Sequence, residues 1–107
     1  MEQLSEHIAL ADVQWREIAP GVERGELRAT KPGAGAALLR FAAGSSSGDH
    51  RHPDGEELFV LRGRLRLGTA VLGAGDYHYT PPGGVNDAEA YEDTILFQIQ
   101  PTPAEFR

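Results

Sequence analysis

The chain has 107 residues, 40% hydrophobic and 24% charged, with ten basic against sixteen acidic side chains and a formal net charge of -6. This is room for one core and one domain. The charge balance repels a phosphate backbone and no apolar run reaches the ~20 residues of a bilayer span, so neither nucleic acid nor membrane is an expected partner. There are no cysteines, which rules out disulfides, thiolate ligands and a thiol nucleophile. The opening "MEQLSEHIAL" lacks the basic, apolar and small-residue order of a secretory signal, so a cytoplasmic location is expected.

Along the chain, thirteen glycines and seven prolines punctuate short apolar runs, the habit of an all-β domain. Strands are predicted over 22–30, 36–43, 49–52, 57–62, 64–72, 76–80 and 94–100. In "RLRLG", Leu65 and Leu67 alternate with Arg64 and Arg66, the two-residue period of a strand with one wet face. "LFVL" at 58–61 is apolar throughout and predicts a strand covered on both sides, by another strand or by a partner subunit. In "TILFQIQ", Ile95, Phe97 and Ile99 share one face, with Gln98 and Gln100 on the other. Trp15 reads as a packing anchor, Gly63 and Gly75 as turn residues, and the tail "PTPAEFR" as poorly packed. Such short, evenly spaced strands point to a β-sandwich or a small barrel.

The chemistry gathers in "GDHRHPDGEELFVLRG", residues 48–63. Side chains at i and i+2 of a strand point the same way, so His50 and His52 project into one space. Pro53, Asp54 and Gly55 are turn residues that bring Glu56 back beside the histidines. Two neutral imidazoles and a carboxylate make an N,N,O set for one divalent transition metal, half an octahedron with positions left for water or substrate. The same ligands accept iron, manganese, nickel, zinc or cobalt. The plain alternative is a surface His pair beside a solvated acidic turn. Strand alternation makes Glu57 the weaker carboxylate candidate, because it turns outward when Glu56 turns in.

The spacing Gly44-x5-His50-x-His52-x3-Glu56-x6-Gly63 matches the first cupin motif at every named position. Gly75, Pro81 and Gly83 in "GAGDYHYTPPGG" fit the second, but Asn86 stands where that family has its fourth ligand histidine, and Ala90 where it has an asparagine. Together with "DVQW" and "PGV" upstream, the chain resembles the ChrR-type anti-sigma-factor cupin over about 12–100. The resemblance implies a single-domain, cupin-like jelly-roll β-barrel of the RmlC type across 1–107, with a short lead-in and tail. It implies His50, His52 and Glu56 as ligands of a metal inside the barrel, and a homodimer.

At the fourth position three outcomes stay open. Asn86 coordinates weakly through its amide oxygen, water replaces it, or His78 swings in. On the strand 76–80, parity separates His78 from Tyr77 and Tyr79, and the larger apolar area of the tyrosines predicts that they face inward and border a substrate pocket, with His78 outside. Three functions follow: an iron-dependent dioxygenase acting on a small chelating molecule, a non-catalytic metal- or ligand-sensing module, or a metal-free degenerate cupin. Anti-sigma activity in the resembling family depends on a helical zinc domain ahead of the cupin, so inhibition of a sigma factor by this chain alone is not expected.

Overall fold

The computed structural model describes residues 4–106; residues 1–3 and 107, the ends of the lead-in and tail, lie outside them. Twelve strands and one short 3-10 turn (Leu10–Asp12) make up its regular structure. The strands are β1 (Trp15–Ala19), β2 (Val22–Lys31), β3 (Ala34–Phe41), β4 (His50–His52), β5 (Glu56–Arg62), β6 (Arg64–Leu67), β7 (Ala70–Gly73), β8 (Tyr77–Thr80), β9 (Gly84–Asn86), β10 (Ala88–Ala90), β11 (Thr94–Gln100) and β12 (Glu105–Phe106). Every pairing is antiparallel. A six-stranded sheet runs β1-β2-β3-β11-β5-β8, and two three-stranded sheets run β10-β6-β7 and β12-β4-β9. Alongside the sequential pairs β1-β2, β2-β3 and β6-β7, the pairings β3-β11, β11-β5, β5-β8, β10-β6, β4-β9 and β12-β4 join strands far apart in sequence, as in a jelly roll. Among the described residues no helix is long and apolar enough to cross a membrane.

Alternation decides what the barrel contains. Leu58, Val60 and Leu96 of the large sheet face Leu65, Leu67, Ala88 and Ala90 of the β10-β6-β7 sheet, and all seven are buried in one core. A second, smaller cluster forms on the opposite face of the large sheet from Val13, Leu38 and Ile95, with Trp15 packed against it. The Arg40 guanidinium lies 4.0 Å from the Trp15 ring centroid, which completes that anchor.

Several expectations need correction. The run 64–72 is a hairpin rather than one strand, because Gly68 takes a positive φ and the chain turns before Ala70. "LFVL" is not covered on both faces. Leu58 and Val60 are buried while Phe59 and Leu61 stand 41% and 49% exposed on the outer side. The tail is not loose up to Phe106. Glu105 and Phe106 pair with Arg51 and His50 as a third strand beside β4, and Arg51 Nη1 meets Glu105 Oε1 at 2.7 Å.

Two glycines fix the path around the site. Gly55 has φ +85°, and a Cβ there would come within 2.8 Å of the Thr80 carbonyl, so the turn feeding Glu56 into β5 tolerates no side chain. Gly63, at φ +96°, would place a Cβ 2.3 Å from the Asp93 carbonyl oxygen. Gly75 has a comparable φ of +91° with open space around it. The left-handed backbone costs an alanine about 1 kcal/mol or more, and the clash adds to it only at the first site. Gly63→Ala is therefore expected to lower unfolding stability by at least about 1 kcal/mol more than Gly75→Ala. Equal losses in urea titrations of the two variants would contradict the packing described.

Candidate metal centre

His50, His52 and Glu56 border one cavity of about 190 Å³ inside the barrel. Strand β4 contributes the first two from the same face, as i and i+2 residues must, and both are buried, at 7% and 1% exposure. The turn at 53–55 then delivers Glu56, 4% exposed, as the first residue of β5. The shared space anticipated from the sequence is present.

Hydrogen bonds fix which ring nitrogens are free. His50 Nδ1 lies 2.9 Å from the Gly48 carbonyl oxygen, which can only accept, so Nδ1 carries the proton. Gln100 Nε2 donates to the Gly33 carbonyl at 2.8 Å, which turns Gln100 Oε1 toward His52 Nδ1, 3.2 Å away. That nitrogen is also the protonated one. Both Nε2 atoms therefore keep their lone pairs, the tautomer a metal ligand needs.

The carboxyl group is held in the same fashion. Arg24 Nη1 donates to Gln98 Oε1, and Gln98 Nε2 in turn donates to Glu56 Oε2 at 2.6 Å. This leaves Glu56 Oε1 as the free oxygen. It stands 3.2 Å from His52 Nε2, and neither atom has a hydrogen-bond partner although both are buried. Two electron-rich atoms so placed, each with its other polar atom already committed, call for a cation between or beside them. A proton answers that need in part. Burial pushes the Glu56 carboxyl up to about 7, against the opposing pull of the Gln98 hydrogen bond and the Arg24 charge. Burial, with the neighbouring His50, holds His52 down to about 4, against the Gln100 hydrogen bond. Near neutral pH the contact thus joins a neutral imidazole to a half-protonated acid and is no ion pair.

His50, the third candidate, packs differently. The His50 and His52 rings meet edge to face with centroids 4.7 Å apart, and Phe106 packs on His50 at 5.4 Å. Among the described residues no three His, Cys, Asp or Glu side chains close into a ready-made cation cage. The donor set nevertheless fits a divalent ion: three side chains on one cavity, both imidazole tautomers set, and two buried lone-pair atoms without partners.

Asn86 sits directly across from His50 in the β4–β9 pairing and so shares its face. Its Nδ2 donates to Thr80 Oγ1 at 3.0 Å, while Oδ1 is buried and unpartnered. It does not border the cavity itself. The expectation for β8 is reversed. Because Glu56 and Leu58 face inward on β5, their cross-strand partners Thr80 and His78 do as well. Tyr77 and Tyr79 are 57% and 55% exposed, and Tyr77 donates its hydroxyl to Glu57 Oε1 at 2.8 Å. Neither lines the cavity. Burial lowers the pKa of His78, whose Nδ1 is buried without a partner, but His78 does not reach the cavity wall and is no substitute ligand there.

Sequence reasoning missed Arg24, Gln98 and Gln100, all of which border the cavity. A period-2 strand gives two faces without saying which is inner. The usable signal was Leu96, which shares parity with both glutamines and with the core. In the metal-free protein the Glu56 carboxyl should titrate near pH 7, followed by carboxyl 13C NMR. Gln98→Leu should move that midpoint upward by removing a hydrogen bond that favours the charged form. A midpoint near the ordinary 4.5 would contradict the buried, partnerless oxygen.

The family model described as ChrR Cupin-like domain matches residues 4–104. A DNA damage-repair/toleration protein of Arabidopsis thaliana is 33% identical over 87 residues, covering 76% of this chain and 27% of that protein. The chain thus spans about a quarter of the length of the curated relative it matches. Among solved structures, an acetylacetone dioxygenase from Acinetobacter johnsonii superposes with a TM-score of 0.82 at 16% identity, over 99% of this chain and 80% of that one. The anti-sigma ChrR in complex with SigE from Rhodobacter sphaeroides superposes with a TM-score of 0.70 at 29% identity, over 91% of this chain and 50% of that one.

Proposed function

The chain belongs to the ChrR cupin-like domain family, and from that premise we propose that its barrel holds one divalent transition metal on His50, His52 and Glu56 and receives a small molecule beside it. The observation that carries this reading is the buried, unpartnered pair His52 Nε2 and Glu56 Oε1. Asn86, across from His50 with a free Oδ1, is the proposed weak fourth contact.

A bound ion would supply Lewis acidity and, were it iron, the redox capacity for dioxygen chemistry. The chain's own residues supply the setting. Gly48 and Gln100 orient the imidazoles, Gln98 orients the carboxyl group, and the apolar wall of Val22, Leu39, Phe41, Leu58 and Leu96 keeps bulk water from a bound molecule. Oxygenation of a small chelating substrate is the enzymatic form of this reading, and it shares its fold with the dioxygenase neighbour. A second form, sensing without turnover, is favoured by the likeness to ChrR at 29% identity and by the cavity wall carrying, among the described residues, no Asp, Glu or His beyond the ligand set. Oxygen uptake by the iron-loaded protein with β-diketone and hydroxylated aromatic substrates separates the two.

A homodimer is proposed through the outer face of the large sheet, where Phe59, Leu61, Tyr77 and Ile99 are each 40% exposed or more. Leu61→Glu with Phe59→Glu should shift the sedimentation coefficient from dimer to monomer, and an unchanged value would place the contact elsewhere.

Protein purified without a histidine tag and reconstituted should retain close to one ion per chain. His50→Ala and His52→Ala should lose it, Asn86→Ala should weaken affinity by about tenfold or less, and Asn86→His should tighten it. The ion needs the ionised carboxyl group, so affinity should fall as pH drops below about 7, the Glu56 value, and Glu56→Gln should lessen that dependence to what the imidazoles alone impose. No retained metal would leave the degenerate, metal-free barrel.

A further inference from the structure

The cavity wall carries three charged side chains, Arg16, Arg24 and Glu56, and Glu26 just outside it pairs with both arginines. Arg24 is the unusual one. It reaches in from β2, cross-strand from the core residue Leu39, and is only 4% exposed. Its Nη1 is committed to Gln98 and its Nε to Glu26 at 2.8 Å, but its Nη2 is buried with no partner. Glu26 accepts from Nε through Oε1 alone, its Oε2 being buried without a partner, and it lies outside the cavity wall; Arg16 Nη2 is 3.8 Å from the same Oε1.

A buried guanidinium N–H without an acceptor is costly, and its best complement is an anion that accepts from Nη2. Beyond the polar end, the wall is apolar, formed by Val22, Leu39, Phe41, Leu58, Leu65 and Leu96. The cavity of about 190 Å³ equals the liquid volume of roughly six waters, so its occupant is small. Nothing in this arrangement favours a second cation or a large polar molecule.

We infer that the cavity takes a short-chain organic carboxylate, its charged end received at the Arg24 guanidinium and its body laid on the apolar wall. This rests on the reading of the barrel as a ligand site and names the class of molecule it admits. A divalent ion on His50, His52 and Glu56 adds positive charge and strengthens the preference. Arg24 also holds Gln98, so it ties ligand recognition to the support of the Glu56 carboxyl group.

Isobutyrate and its neutral isostere isobutyramide test the inference. Each is titrated into the full chain, metal-free and then metal-loaded, with binding read from the NMR shifts of the Val22 and Leu58 methyl groups. Isobutyrate is expected to bind about tenfold or more tightly than isobutyramide in the metal-free protein, and Arg24→Gln should equalise the two. Arg24→Lys, which keeps the charge and loses the fork, should retain part of the preference and serves if the glutamine variant does not fold. Equal binding of both probes, or no binding of either, overturns the inference. So does a preference seen only with metal and untouched by Arg24→Gln, since the ion alone would then hold the carboxylate. Metal content measured on the same samples reports separately on the metal reading, because the metal-free titration does not depend on it.

Discussion

Two atoms 3.2 Å apart, His52 Nε2 and Glu56 Oε1, organise the rest of this molecule. Each is buried, each carries a lone pair, and the other polar atom of each side chain is already bound, to Gln100 and to Gln98. Leaving such atoms facing each other unbridged inside an apolar barrel is unfavourable. A shared proton, a cation or a water donating to both atoms meets that need. Much of the local architecture is explicable as the means of holding the two atoms there. The alternation of β4 points both histidines inward, the tight turn at Gly55 abuts the Thr80 carbonyl, and the large sheet lends Arg24, Gln98 and Gln100 from strands β2 and β11.

The support is unequal around the site, and that inequality bears on its chemistry. His52 and Glu56 are anchored by buried side-chain amides, which move little. His50 is anchored by a loop carbonyl at Gly48 and by the ring of Phe106 on the short strand β12. Its surroundings therefore differ in kind from those of His52 and Glu56, a backbone carbonyl and an aromatic ring in place of side-chain amides. Asn86, across from His50, presents a buried amide oxygen without a partner.

The all-β fold class was legible from the spacing of short strands, and the meeting of His50, His52 and Glu56 at one cavity was legible because it is local. A His-x-His pair, a three-residue turn and a glutamate need only strand parity and turn chemistry to converge. The orientation of β8 was not local. Tyr77 and Tyr79 have the larger apolar area, yet the pairing of His78 with Leu58 and Thr80 with Glu56 sets parity from the neighbouring strand. Gln98 and Gln100 were hidden for the same reason, since two polar side chains on one face of a strand normally mark the wet side. Inside a barrel with a polar site they mark the opposite. Strands β9, β10 and β12 are two or three residues long, too short to leave a periodic signal. The tail's terminal position predicts looseness, whereas Phe106 is placed by its contact with His50 rather than by any pattern of its own.

The most direct measurement is a crystal structure of the cobalt-loaded protein with anomalous data at the metal edge. The account predicts one peak within about 2.0–2.2 Å of both His52 Nε2 and Glu56 Oε1, with the His50 ring turned so that its Nε2 completes the set. A barrel in which the peak lies elsewhere, with His52 and Glu56 still meeting across a retained proton, would contradict it.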